Sequence, residues 1–236
     1  MKTGTPKNVA AFEKLVDICN GLGARYKPSK SELSTTALSA LLAQAHTCIE
    51  EVETANTNFV KAINERQASF AQLNPLAIRI IRALVASGAT AEMLHDARAF
   101  KRKLNGPRSS VQSVVNPGEG GSAYQKSRGL SYLDYDNRVS LFSQLIKLLQ
   151  STTAYAPNEE ELQLPALKEY LAELRMRSQA VIVAGNALAN ARNTRNLAFS
   201  GKGSLHAIGT AVKAYIRSVL GLKSYPATEL GQLRLA

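Results

Sequence analysis

The chain of 236 residues carries 29 Lys and Arg against 18 Asp and Glu, a net charge of +11, with no Trp and two Cys. That length buries a sizeable core as one large domain or two small ones. Cys19 and Cys48 lie far apart without metal-ligand spacing, which argues against a disulfide-stapled scaffold or a thiolate metal site. The longest apolar stretch, 180–191, contains Gly185, Asn186 and Asn190 and falls short of the roughly 20 apolar residues of a membrane span.

Ala, Leu, Ser, Asn and Arg dominate and β-branched runs are few, which favours helix. Residues 1–8 are polar and lack the apolar segment of a signal peptide. A reduced cytoplasmic setting is the default for such a chain.

Residues 9–19 predict a short amphipathic helix, with Val9, Phe12, Leu15, Val16 and Cys19 on one side and Gly21 and Gly23 ending it. A loop with Tyr26 and Pro28 follows. Ser34 or Thr35 is placed to cap a long helix over 37–70. Leu42, Ala45, Ile49, Val52, Phe59, Ile63 and Phe70 form one apolar stripe along it, interrupted by polar Asn56 and Arg66. At ~1.5 Å per residue this helix is about 50 Å long and needs partner helices to cover its stripe.

Asn74-Pro75 marks a turn, with Pro75 opening a short helix over 76–86. Ser87-Gly88 ends it, and Thr90 caps a further helix over 91–104. Glu92 lies near that helix's positive end and Lys101, Arg102 and Lys103 near its negative end. Residues 105–129, with Pro107, Pro117, Gly118, Gly120 and Gly121, lack periodicity and read as a linker. Beyond it come a helix over 137–150, a loop with Tyr155 and Pro157, a second long helix over 166–199, a turn at 200–203 and a helix over 204–220 closed by Gly221.

The second long helix repeats the first. At an offset of 129 residues, Tyr26, Pro28, Glu32 and Leu33 fall on Tyr155, Pro157, Glu161 and Leu162. Leu38, Leu42, Val52, Arg66 and Phe70 fall on Leu167, Leu171, Val181, Arg195 and Phe199. Residues 26–76 and 155–205 share 15 identities in 51 positions without a gap. One further residue of shift brings Val9, Phe12 and Leu15 onto Val139, Phe142 and Leu145. The reading is an all-α helical bundle built from two tandem copies of a unit organised on one long helix, packed about a pseudo-twofold axis. The boundaries are 1–104 for the first copy, 105–134 for the linker and 135–236 for the second, forming one compact domain.

The loop Tyr155-Ala156-Pro157-Asn158-Glu159, the stretch from Asp96-Ala97-Arg98 to Leu104 and the run 212–218 (Val-Lys-Ala-Tyr-Ile-Arg-Ser) resemble a group of uncharacterised bacterial all-helical proteins. The resemblance covers most of the chain. It implies an intracellular helical protein and brings no activity or functional residue with it.

Chemistry-bearing motifs are sparse. His46, His95 and His206 are scattered without metal-ligand spacing. Gly201-Lys202-Gly203-Ser204 lacks the strand and the spacing of a phosphate loop, and reads as a turn. Glu159, Glu160 and Glu161 complement a helix dipole rather than forming a catalytic pair. The expectation is therefore no enzyme, no cofactor and no metal.

Two sets of basic residues are candidate anion or partner sites. Arg98, Lys101, Arg102 and Lys103 (with Arg108) can grip phosphates or simply face solvent at a helix end. Arg66 and Arg195, each in Asn-x-Arg-x-x-x-Phe, fall on or near the stripe of a long helix. There a guanidinium must reach solvent or find acceptors. From Leu174 onward, nine Lys or Arg face one acid, Glu229. The functional expectation is a helical scaffold binding a protein partner or its own copy. The alternative is a nucleic-acid-associated protein using the basic C-terminal half.

Overall fold

The computed structural model describes residues 4–104, 132–221 and Leu233, and every regular element among them is helical. The order is α1 (Gly4–Leu22), α2 (Thr35–Ala71), α3 (Leu73–Ala86), α4 (Ala91–Leu104), α5 (Tyr132–Gln150), α6 (Leu164–Phe199) and α7 (Leu205–Leu220). Single 3₁₀ turns at Gly23–Arg25, Ser31–Leu33 and Glu160–Leu162 fall in the loops before the long helices α2 and α6. No described helix is long and apolar enough to cross a membrane. The linker 105–129 lies outside the described residues.

Helix ends follow the local chemistry with small corrections. Ser34 Oγ accepts from the Ala37 N–H at 3.3 Å, so Ser34 is the cap of α2. Ser204 Oγ accepts from the Ala207 N–H in the same way. α1 runs through Gly21 and stops where Gly23 adopts φ +48. α3 starts at Leu73 rather than after Asn74-Pro75. Pro75 sits in its first turn, where the missing N–H has no intrahelical partner to lose. Only Gln72 separates α2 from α3.

The chain divides into two compact units that do not follow chain order. Unit 1 takes Met1–Phe59 and Ala184–Ala236; unit 2 takes Val60–Val183. Each long helix therefore contributes one portion to each unit.

The core of unit 1 is Val9, Phe12, Leu15, Val16 and Cys19 of α1, Leu38 and Ala45 of α2, and Leu205, Ile208, Val212 and Ile216 of α7. Tyr26, Leu33 and Phe199 complete it, with Leu233 packed alongside. In unit 1 the ring of Phe59 also lies against Gly185: a Cβ there would meet Phe59 Cε2 at 3.3 Å. The small residue sets how closely those two helix segments approach.

The core of unit 2 joins Phe70 with Leu73, Ala77, Ile80 and Leu84 of α3, Leu104 of α4, and Val139, Phe142, Leu145 and Leu149 of α5. Leu162, Leu167, Leu171 and Leu174 close it. α4 packs on α3 and α5.

The two loops that precede the long helices carry the same contacts. Tyr26 donates from its buried hydroxyl to the Leu33 carbonyl at 2.6 Å, and Tyr155 donates to the Leu162 carbonyl at 2.8 Å. The 3₁₀ turn Ser31–Leu33 packs on α7, and Glu160–Leu162 packs on α3.

Candidate functional site

In unit 2, a groove of about 530 Å³ opens between the C-terminal half of α3 and the loop before α6. Arg79, Arg82, Ala86 and Ser87 line the helix side; Ala156, Pro157 and Glu159 line the loop side. Helix periodicity explains the α3 contribution: Leu84 and Ile80 point into the core, which leaves Arg79, Arg82 and Ala86 outside it. The loop side is held by Tyr155, whose ring is buried and whose hydroxyl is tied to Leu162. Burial, with the charge of Glu159 nearby, pushes the Tyr155 phenol up to about 12, so it stays a neutral donor.

Charge at the groove is mixed. Arg79 donates to Glu161 in an exposed ion pair. Arg82 and Glu159 are exposed on its lining. No described residue accepts from the Ala156 N–H.

In unit 1 a second tyrosine packs on the loop tyrosine. Tyr215 of α7 stands edge-on to Tyr26, with ring centroids 5.3 Å apart at 85°. Its hydroxyl accepts from the Lys27 N–H at 3.1 Å. Lys27 and Ala156 follow Tyr26 and Tyr155, the two tyrosines that make the same hydrogen bond.

The arginines singled out in the sequence meet different surroundings. Arg66, in unit 2, is only 6% exposed. Its guanidinium carbon lies 3.9 Å from the centroid of the Tyr135 ring, a close cation–π contact. Tyr135 in turn meets Phe70 edge-on at 4.8 Å. Arg138 reaches across the Phe70 ring at 5.4 Å and donates to the Phe70 carbonyl at 3.4 Å. Two cations and two rings thus alternate at the end of α2, which is a packing arrangement.

Arg195, in unit 1, is half-buried and donates to the Asn196 side chain at 3.1 Å. The residue 130 positions before Tyr135 is Thr5, so no ring stands there in the sequence.

The basic residues of α4 are brought together at its C-terminal end. Arg98, Arg102 and Lys103 are exposed and Lys101 is half-buried. Lys103 edges a depression of about 510 Å³ together with Asp96, Phe100, Gln144 and Lys147. Arg108 lies outside the described residues.

A polar network in unit 2 had no sequence signal beyond one helical pair. Arg177 pairs with Glu65 at 2.7 Å and with Glu173 at 3.7 Å, the latter at i,i−4 spacing. Glu173 also accepts from Ser69 Oγ at 2.9 Å, and Tyr170 donates to the Ser69 carbonyl at 2.6 Å. Burial and the Glu173 charge push the Tyr170 phenol up to about 12 against the opposing pull of Arg138.

Other basic residues of the C-terminal half are also locally engaged. Lys213 donates to the Leu233 carbonyl, and burial beside Arg217 lowers its pKa. Arg175 reaches Ser143 Oγ at 3.5 Å. Among the described residues no three His, Cys, Asp or Glu side chains gather as a metal site.

Comparison of the chain with protein-family models, with curated proteins and with solved structures finds no significant match.

Proposed function

We propose that the chain is a tandem duplication of one helical unit and acts as a non-enzymatic scaffold that binds a protein partner or a second copy. The observation that carries the binding role is the outer side of α6 in unit 2. Met176 and Val183 are each 57% exposed, and Ile182 is 40% exposed. Met176 and Val183 are seven residues apart, about two helical turns, so they share one side of the helix. Val181 and Leu174 of the same helix are fully buried, so Met176, Ile182 and Val183 are apolar residues beyond those the core uses. Exposed apolar side chains two turns apart on one side of a helix, with Ala180 between them and Ile182 alongside, support an interaction surface on this charged protein.

The duplication reading is supported by the gapless offset of 129 residues and by the paired tyrosine–carbonyl bonds. Burial agrees as well: Phe12, Leu15 and Cys19 of α1 and Phe142, Leu145 and Leu149 of α5 are all at most 1% exposed. The nucleic-acid alternative is less well supported. Arg175 and Arg177 belong to unit 2, while Arg192, Arg195, Lys213 and Arg217 belong to unit 1. Several already hold carboxylate, hydroxyl or carbonyl partners.

A photo-reactive residue placed at Val183 tests the reading. Discrete protein adducts are expected, reduced by Met176→Lys and absent when the group is at exposed Thr57. Equal yields at the two positions, or none at Val183, overturn it.

A further inference from the structure

The loops that open the two long helices share one backbone course and carry opposite charge. Tyr26-Lys27-Pro28 and Tyr155-Ala156-Pro157 stand at the offset of 129 residues. Besides the two tyrosine–carbonyl bonds, the Leu33 N–H donates to the Lys30 carbonyl at 3.1 Å, and the Leu162 N–H donates to the Glu159 carbonyl at 2.9 Å. Lys30 and Glu159 hold the same place before the 3₁₀ turn, at φ −88, ψ 125 and φ −71, ψ 117. One is a cation and the other an anion, and both are exposed.

The reversal extends along the loop. Unit 1 presents Arg25, Lys27 and Lys30 with one acid, Glu32, all of them exposed. Unit 2 has Ala154 and Ala156 at the first two places, and then exposed Glu159, Glu160 and Glu161. Arg79 of α3 takes Glu161, while Arg82 lines the groove beside Glu159 without pairing with it. Among the described residues no ion pair engages Arg25, Lys27, Lys30, Glu159 or Glu160. The shared turn is held by buried Tyr26 and Leu33, or Tyr155 and Leu162. Packing therefore dictates neither charge.

We infer that the unit 1 loop of one copy docks on the unit 2 loop of a second copy, with Lys27 and Lys30 meeting Glu159 and Glu160. The anions that complement the basic loop are carried by every copy of the chain, on a turn of the same course. Two different patches meet, so the contact is head-to-tail. The net charge of +11 repels copies at a distance, but physiological salt screens beyond about 8 Å, so the local charges decide the contact. Exposed ion pairs are individually weak, so this contact sets partner and register more than affinity. The inference deepens the scaffold reading by naming its own copy as the partner, through loops distinct from the outer side of α6.

The test is sedimentation velocity of the full chain at physiological salt over a concentration series. The average mass of the unchanged chain should rise with concentration. Lys27→Glu with Lys30→Glu makes both loops acidic, and Glu159→Lys with Glu160→Lys makes both basic. Each variant alone should stay monomeric at every concentration where the unchanged chain associates. Mixed together they should associate again, because each now complements the other. All four residues are exposed, so the thermal melts should match that of the unchanged chain. A mass that never rises, a variant that associates alone, or a mixture that stays monomeric overturns the proposal.

A further variant separates the loops from α6. Met176→Lys should leave the self-association unchanged. Loss of association in Met176→Lys assigns the contact to α6, which overturns the loop inference and keeps the scaffold reading. Loop-dependent association without adducts at Val183 supports the loops and removes the role given to α6.

Discussion

Truncating Phe70 to alanine removes the ring on which the end of α2 is organised in unit 2. Phe70 is 2% exposed, so the deletion costs lost transfer energy plus a cavity, about 3–5 kcal/mol. The edge-on contact with Tyr135 at 4.8 Å adds about 0.5–1.5 kcal/mol beyond area burial. That places Phe70→Ala toward the upper end of the range. Phe199→Ala, at 8% exposure and with no ring contact among the described residues, belongs near the lower end. The difference of about 1 kcal/mol is measurable by urea unfolding followed by far-UV circular dichroism. It matters against a total stability of about 5–15 kcal/mol. A double-mutant cycle of Phe70→Leu with Tyr135→Leu isolates the ring pair, because leucine keeps much of the volume. The expected coupling is about 0.5–1.5 kcal/mol, favourable. A coupling of zero, or a Phe199→Ala cost above that of Phe70→Ala, refutes this account of the α2 end.

Three further outcomes follow from buried hydroxyls and thiols. Tyr26→Phe and Tyr155→Phe each strand a carbonyl, Leu33 or Leu162, and should each destabilise by about 1–3 kcal/mol in urea melts. A loss in only one of the two variants means that the bonds are not equivalent. Tyr155 and Tyr170 have phenols raised from 10.0 to about 12 in the folded chain. Their contribution is therefore fully present below pH 10 and is lost as pH climbs toward 12, so tyrosinate absorbance and helix content should change together. Full ionisation of all tyrosines with helicity intact contradicts it. Cys19 is fully buried with its thiol pushed up to about 11, and burial also raises Cys48. Neither should react with an aromatic disulfide reagent until the chain is unfolded, and rapid native reaction at Cys19 rejects its burial.

The long helices were legible because their stripes have helical period and nothing breaks them. Leu42, Ala45, Ile49, Val52, Phe59, Ile63 and Phe70 are all buried or half-buried as the spacing predicts. Arg66 on that stripe is also buried, but what receives it is not local. Tyr135 comes from α5, far along the chain, and no spacing rule pairs an arginine with a ring that distant. The i,i−4 pair of Arg177 with Glu173 could be counted from the sequence, whereas Glu65, the closer partner, belongs to α2. The groove was illegible for a different reason. It depends on where the loop before α6 meets α3, and Ser87-Gly88 announces only a helix end.

The composition of the units follows from the length of the helices. A helix of 37 residues at ~1.5 Å per residue reaches about 55 Å, while about 20 residues already span a small domain. One small core cannot cover so long a stripe, and each long helix serves two. α2 gives its residues through Phe59 to one unit and the rest to the other; α6 divides after Val183. On the duplication reading, unit 1 then holds the opening of the first copy with the close of the second, and unit 2 holds the close of the first with the opening of the second. Neither copy owns a whole core. A lone copy would expose half of each, and the nearest remedy for such surfaces is a second identical chain. On that reading, the physical logic of the chain is that of a dimer with exchanged halves. Once two copies share one chain they are free to diverge. On that reading, Tyr135 against Thr5 is a place where they have.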